Sequence, residues 1–133
     1  MDSLWPDFQE VPVRITPGTI LKEQAKALGD MFQNRIRGHV IVRQTGDKFL
    51  CAFNLHCSPL SYSYELFKVE FGLINIYPAS VILKGDIAEE ILESGGSGIL
   101  EVTNEKDFRQ ALTRIFSANK TRHVIQGLRQ HLE

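Results

Sequence analysis

Four side chains able to transfer protons or bind anions fall on alternate positions of one predicted β-hairpin. Arg37 and His39 lie in its first strand, and Asn54 and His56 lie in its second. Histidine titrates near neutral pH and arginine stabilises anions, so a general acid–base site is chemically possible. Alternating polar residues are also typical of any sheet face in contact with water. The pattern leaves open catalysis, a binding surface or plain solvated surface.

Three tyrosines and a leucine extend this group along the chain. Tyrosine and arginine are enriched at the centres of protein interfaces, because they combine apolar area with polar tips. If the two hairpins are joined in parity across residues 57–61, Asn54 lies opposite Tyr64; the second hairpin places Leu66 opposite Tyr77. The predicted binding face has its centre at Tyr64, Leu66 and Tyr77. Its eight residues are Arg37, His39, Asn54, His56, Tyr62, Tyr64, Leu66 and Tyr77.

The register of the first hairpin follows from its turn. Gly46 and Asp47 suit a two-residue loop, which places Thr45 opposite Lys48 and sets every other pair of the two strands. One face then collects Val40, Val42, Phe49, Cys51, Phe53 and Leu55, and the other collects Arg37, His39, Ile41, Arg43, Leu50, Asn54 and His56. A slip of one residue would mix apolar and polar side chains, so the pattern supports this register.

A second hairpin is predicted around Phe71 and Gly72. Such a turn places Phe67, Val69, Ile74 and Ile76 on the apolar face. Pro78 cannot donate a ladder hydrogen bond, so it marks an edge, a bulge or a strand end, and the run 79–83 can continue the strand beyond it. The segment Ile99–Val102 is a candidate fifth strand.

The flanking segments predict helices. Thr16 followed by Pro17 is a helix start, and a stripe of apolar residues continues to about position 33. A short helix is expected after Asp86, a longer one after Thr103 or Asn104, and a last one around 120–132. We therefore predict an α+β fold. It has an antiparallel meander of four to five strands, with an N-terminal helix and two C-terminal helices packed on one face.

Composition limits the function classes. The 133 residues are 43% hydrophobic and carry a net charge of −1, which fits a single domain over 1–133 and gives no general attraction to nucleic acid or anionic lipid. No apolar run approaches the ~20 residues of a membrane span, and the N-terminus lacks a signal-peptide pattern.

Cys51 and Cys57 lie ~20 Å apart along one extended strand, too far for a disulfide. Reduced, buried cysteines favour a cytoplasmic protein.

Motifs for cofactors and metals do not fit. The composition of the glycine-rich segment 94–98 predicts a loop, but Ile99 follows it where a phosphate loop needs a lysine and a hydroxyl. The cysteines and histidines lack zinc-ligand spacing, because neighbouring His56 and Cys57 point to opposite faces of a strand. The last helix is basic, yet no aromatic platform accompanies it, which favours a solvated helix over a nucleic-acid contact. We expect no cofactor, metal, nucleic acid or membrane.

Four segments resemble a group of short, uncharacterised bacterial proteins. They are PGTILKEQA at 17–25, YSYELF at 62–67, IYP at 76–78 and IFSANKT at 115–121. The resemblance implies a compact bacterial domain. It implies no function and no catalytic residues.

The sequence therefore leads to two functional hypotheses. The first is a non-enzymatic bacterial cytosolic protein-interaction domain of immunity, adaptor or chaperone type. It would bind a protein partner, or form a homo-oligomer, through the open face of its sheet. The alternative is a small enzyme or ligand-binding domain that uses His39, Asn54, His56 and Arg37. A concave site with converging polar groups would favour the alternative, and a flat face would favour the first.

Overall fold

The computed structural model describes residues 2–10, 12–92 and 98–132. Its strands and helices follow the predicted order, and the α+β fold with an antiparallel meander is confirmed. The strands are β1 Ile36–Thr45, β2 Lys48–Cys57, β3 Tyr62–Gly72, β4 Ala79–Ile82 and β5 Ile99–Val102. The helices are α1 Pro17–Met31, α2 Gly85–Ile91, α3 Glu105–Phe116 and α4 Asn119–Gln130. Two short 3-10 turns lie at Phe8–Glu10 and Ser58–Leu60.

Residues 12–15 form no strand. Apart from Gly98, the glycine-rich segment 94–98 lies outside the described residues.

The five strands neighbour one another in sequence order, and each neighbouring pair is antiparallel. The predicted register of β1 and β2 is confirmed from Ile36 opposite Cys57 to Thr45 opposite Lys48. Gly46 has a φ of +61°, a left-handed conformation that glycine adopts without a steric penalty. Local turn chemistry thus fixes the first hairpin.

The predicted turn at Phe71 and Gly72 is wrong. β3 continues to Gly72, and an irregular connection leads from there to β4, which begins directly after Pro78. Ile74 consequently lies in this connection and is 83% exposed, instead of facing the core. The side chain of Val69 does face the core, where it is opposite Val81 of β4.

A β-bulge interrupts the pairing of β2 with β3. Phe53 lies opposite Phe67, but the next pair is Asn54 with Glu65, so Leu66 is the extra residue in β3. Relative to Phe67, a bulge of this kind changes which face the side chains on its far side, residues 62–65, occupy, because the two-residue alternation is shifted by one. The shift decides the positions of the predicted tyrosines described below.

The helices cover the face of the sheet that carries Cys51, Phe53 and Leu55. All of α1, α2 and α3 contribute buried residues to one core cluster, including Ile20, Ile87 and Phe108, and half-buried residues of α4 pack against it. Helix α1 begins as predicted: Thr16 Oγ1 accepts a hydrogen bond from the Thr19 amide at 3.2 Å. Asn104 caps α3 in the same way, through the Asp107 amide at 2.8 Å. These helices leave the opposite face of the sheet uncovered within the described structure.

Candidate interaction surface

The open face of the sheet is defined here as the side chains of β1 to β5 that point away from the helices. Four of the predicted binding residues lie on it together. Arg37 pairs with His56 and His39 pairs with Asn54, each across β1 and β2. The Nδ1 atom of His56 lies 2.7 Å from Ser63 Oγ, and Asn54 Nδ2 donates to the His39 carbonyl at 3.4 Å. These contacts tie Asn54 to β1 and His56 to β3.

The other four predicted residues lie elsewhere, and the bulge explains two of them. Because the bulge shifts the part of β3 that precedes Leu66, Tyr64 pairs with the buried Leu55 and Tyr62 pairs with the buried Cys57. Both tyrosines therefore point to the helix side of the sheet. The Lys120 ammonium of α4 lies 5.8 Å from the centre of the Tyr64 ring, and Tyr62 lines a hollow against α4. The predicted pairing of Asn54 with Tyr64 is wrong, because Asn54 lies opposite Glu65.

Leu66 and Tyr77 are also absent from the open face. Leu66, the bulged residue, is 1% exposed and belongs to the core cluster. Tyr77 lies outside β4, in the connection that replaced the predicted turn, and packs against the same core. Its hydroxyl is buried without a hydrogen-bond partner among the described residues. Burial raises the pKa of Tyr77, and the Glu105 carboxylate adds to the rise.

An aliphatic row on the open face was not fully visible in the sequence. Ile41, Ala52, Lys68, Ile82 and Ile99 lie directly opposite one another, in that order, across all five strands. Ile41 and Ile99 at the two ends are 48% and 46% exposed. Strand alternation assigned Ile41 to this face. The error in the second hairpin concealed Ile82 and Ile99, and Ala52 gave no distinctive signal.

The charges on the open face are unevenly distributed. Arg37, His39 and Arg43 lie on β1, whereas acidic residues lie on β3 and β5 as Glu65, Glu70 and Glu101. Lys84 Nζ donates to Glu65 Oε2 at 2.9 Å, which lowers the pKa of the Glu65 carboxyl. Lys48 approaches Glu70 at 3.5 Å. The β1 end of the face is thus basic, and the opposite end is more acidic.

Among residues 2–10, 12–92 and 98–132, none of the main cavities contains all four polar residues of the alternative hypothesis. A shallow hollow of about 280 Å³ touches Arg37 and His39, but its remaining lining comes from α1, the α1–β1 connection and β1, and it includes neither Asn54 nor His56. An apolar cavity of about 300 Å³ lies on the helix side of the sheet, between α1 and α4 over Phe53 and Leu55. Over residues 2–10, 12–92 and 98–132, no three metal-binding side chains gather into a site.

Both cysteines are free and buried. Burial raises the pKa of the Cys51 thiol.

In the parts of the chain that the structure covers, no helix has the length and apolar character required to span a membrane. Comparisons with protein-family models, curated proteins and solved structures found no match. Any function must therefore be argued from the surfaces described above.

Proposed function

We propose that this protein is a non-enzymatic protein-interaction domain that binds through the open face of its sheet. The observation that supports the proposal is the row formed by Ile41, Ala52, Ile82 and Ile99, which crosses the sheet and is interrupted by Lys68 alone. A row of aliphatic side chains with charged residues on both sides resembles the apolar centre and polar rim of protein interfaces. Arg37, His39, Asn54 and His56 would belong to the rim.

The partner that best fits this face is a second copy of the chain. In a two-fold arrangement with the axis parallel to the strands, β1 of one copy meets β5 of the other. Ile41 then faces Ile99 of the second copy, and Arg43 faces its Glu101, because each pair shares a cross-strand row. The alternative two-fold axis, perpendicular to the strands, would bring β1 onto β1 and oppose like charges. Lys68, at the centre of the row, meets its own copy in either arrangement, so the choice depends on the two ends of the face, where the pairing of Arg43 with Glu101 favours the first arrangement.

The size of the face sets the expected affinity. Five strands spaced ~4.8 Å apart, with about three rows of side chains in contact, would bury on the order of 1,000 Å² in total. That area lies at the lower limit of specific interfaces. We therefore expect a weak dimer whose population rises with protein concentration.

The alternative, a small enzyme or ligand-binding domain, has less support. None of the cavities described above contains all four of its residues, whereas ligand sites are concave and gather their polar groups around one volume. The two buried, free cysteines support the cytosolic location that belongs to this proposal. The bacterial origin is an expectation from the resemblance.

Sedimentation velocity over a range of concentrations tests the proposal. The wild-type protein should shift from monomer toward dimer, and Ile99→Asp should keep it monomeric. Ile74→Asp is a matched control, because Ile74 is exposed in the connection before β4 and lies off the open face. A wild-type protein that stays monomeric throughout would overturn self-association.

Charge reversal tests the orientation. Arg43→Glu and Glu101→Arg should each weaken the dimer, because each places two like charges opposite one another. The double variant should restore the dimer, because opposite charges then face one another again. The proposed pairing is wrong if the double variant is weaker than either single variant. His39→Ala should have little effect. Loss of a measurable catalytic activity in that variant would favour the enzyme hypothesis instead.

A further inference from the structure

The outer edge of β1 is unusually regular for an exposed strand. In the described chain β1 has β2 as its single neighbour, and its ten residues pair with β2 without a break. Proteins generally protect such edges with prolines, bulges or short strands, since unpaired backbone groups invite another strand to bind. β1 contains no proline and no bulge. The edge is therefore available for strand addition.

The hairpin geometry shows which backbone groups are free. Thr45 and Lys48 flank a two-residue loop and thus form a hydrogen-bonded pair, so every second residue of β1 before Thr45 directs its N–H and C=O toward β2. The carbonyl of His39 follows this pattern, because it accepts from Asn54 in β2. The groups of Val40, Val42 and Gln44 consequently point outward.

Positive charge surrounds this edge on both faces of the sheet. Lys22 and Lys26 of α1 lie on the helix side of this edge, Arg37 and His39 lie on its open face, and all four line the same 280 Å³ hollow. Arg43 lies on the open face. Lys26 has one exposed contact with Asp30 at 3.6 Å. Lys22, Arg37 and Arg43 form no ion pair with any described residue, and β1 itself contains no acidic side chain.

The cations around the outer edge of β1 indicate which kind of strand can bind there. A second copy added edge to edge would bring two sets of these cations together, which opposes such pairing. An acidic extended segment would be attracted instead. Ile41 and Val42, at 48% and 44% exposure, offer apolar contacts on opposite faces in the middle of the strand.

We propose that the outer edge of β1 binds an acidic extended peptide segment as a sixth strand of the sheet. The backbone groups of Val40, Val42 and Gln44 provide the hydrogen bonds, as in other complexes formed by strand addition. Apolar residues of the peptide lie beside Ile41 and Val42, and its carboxylates lie beside Lys22, Lys26, Arg37 and Arg43. This proposal does not depend on dimerisation through the open face.

The test uses the full-length protein and a capped synthetic peptide with two central valines flanked by glutamates. Isothermal titration should show binding that weakens as salt increases, and amide shifts in nuclear magnetic resonance spectra should follow β1. A peptide with lysines in place of the glutamates should not bind. The same acidic peptide carrying N-methyl groups on consecutive central backbone nitrogens should also fail, because it keeps the charge but neither of its edges can form the ladder hydrogen bonds.

Protein variants separate this site from the open face. Lys22→Glu with Lys26→Glu should weaken the peptide about tenfold, equivalent to ~1.4 kcal/mol. Lys106→Glu on α3 is a matched control and should bind normally. Ile99→Asp, which removes the proposed dimer, should leave peptide binding unchanged. Equal binding of the N-methylated peptide, or amide shifts confined to β3–β5, would overturn the proposal.

Discussion

Phe53 and Phe67 stack across β2 and β3, with ring centroids 5.4 Å apart and ring planes inclined by 10°. They form the last regular pair of these strands before the bulge at Leu66. Phe116 of α3 approaches both rings, at 5.4 Å from Phe53 and 6.1 Å from Phe67. The aromatic group therefore joins the sheet to its helical layer at the point where the register changes.

Phe53→Ala and Phe67→Ala should each lower the free energy of unfolding by ~3–5 kcal/mol, because each leaves a cavity that the core cannot fill. Both rings are about 1% exposed. Chemical denaturation measures the change. Leu73→Ala, on an exposed side chain of the connection before β4, is the control and should change stability little. An unchanged melting temperature in either phenylalanine variant would contradict the packing described here.

The two cysteines should react slowly with a thiol reagent in the native protein. Both are fully buried, and burial raises the pKa of Cys51, which reduces the reactive thiolate. A colorimetric thiol assay before and after denaturation gives the comparison. Gln110→Cys places a third thiol on an exposed position of α3 and should react at once. Rapid reaction of both native cysteines would contradict the burial of β2 described here.

Tyr64→Ala should reduce stability without changing self-association. The ring packs against the core on the helix side, beneath Lys120. Loss of a half-buried aromatic side chain should cost ~1–3 kcal/mol on unfolding. Denaturation and sedimentation on the same sample distinguish the two effects. If the variant keeps its stability and loses dimerisation, Tyr64 belongs to an interface after all.

Tyr77→Phe should raise the free energy of unfolding by about 1 kcal/mol, because it removes a buried hydroxyl that has no described partner. The effect should grow at alkaline pH. Since the pKa of Tyr77 is raised in the folded state, the wild-type protein loses stability as pH increases above the unfolded value of ~10. Tyr62→Phe, whose side chain is 43% exposed, is the control. Equal alkaline losses in Tyr77→Phe and wild type would contradict this account.

Glu65→Gln should lower the free energy of unfolding by less than ~1 kcal/mol at pH 7, because the contact of Glu65 with Lys84 is largely exposed. The pKa of Glu65 is lowered in the folded state, so its contribution is present above the unfolded pKa and is lost as pH falls through the folded value. Denaturation midpoints of the two proteins should converge in acid. A difference that persists at low pH would indicate a packing effect rather than charge.

Local chemistry determined the first hairpin and the helix starts. Gly46 specified the loop, and the apolar alternation of β2 then excluded other registers because one face had to be buried. Thr16 and Asn104 identified their helices through short-range hydrogen bonds. These features depend on residues a few positions apart, and Arg37, His39, Asn54 and His56 were therefore placed correctly on the open face.

Tertiary structure alone decided the positions of four side chains, those of Tyr62, Tyr64, Leu66 and Tyr77. The alternation of residues 62–68 continues without any local sign of a bulge, and the extra residue appears only when β3 pairs with β2 and buries Leu66 against the helices. The connection before β4 likewise depends on packing of Tyr77 near α3. A one-residue change in register has no local signature, but it moves every side chain beyond the bulge, here residues 62–65, to the other face of the sheet.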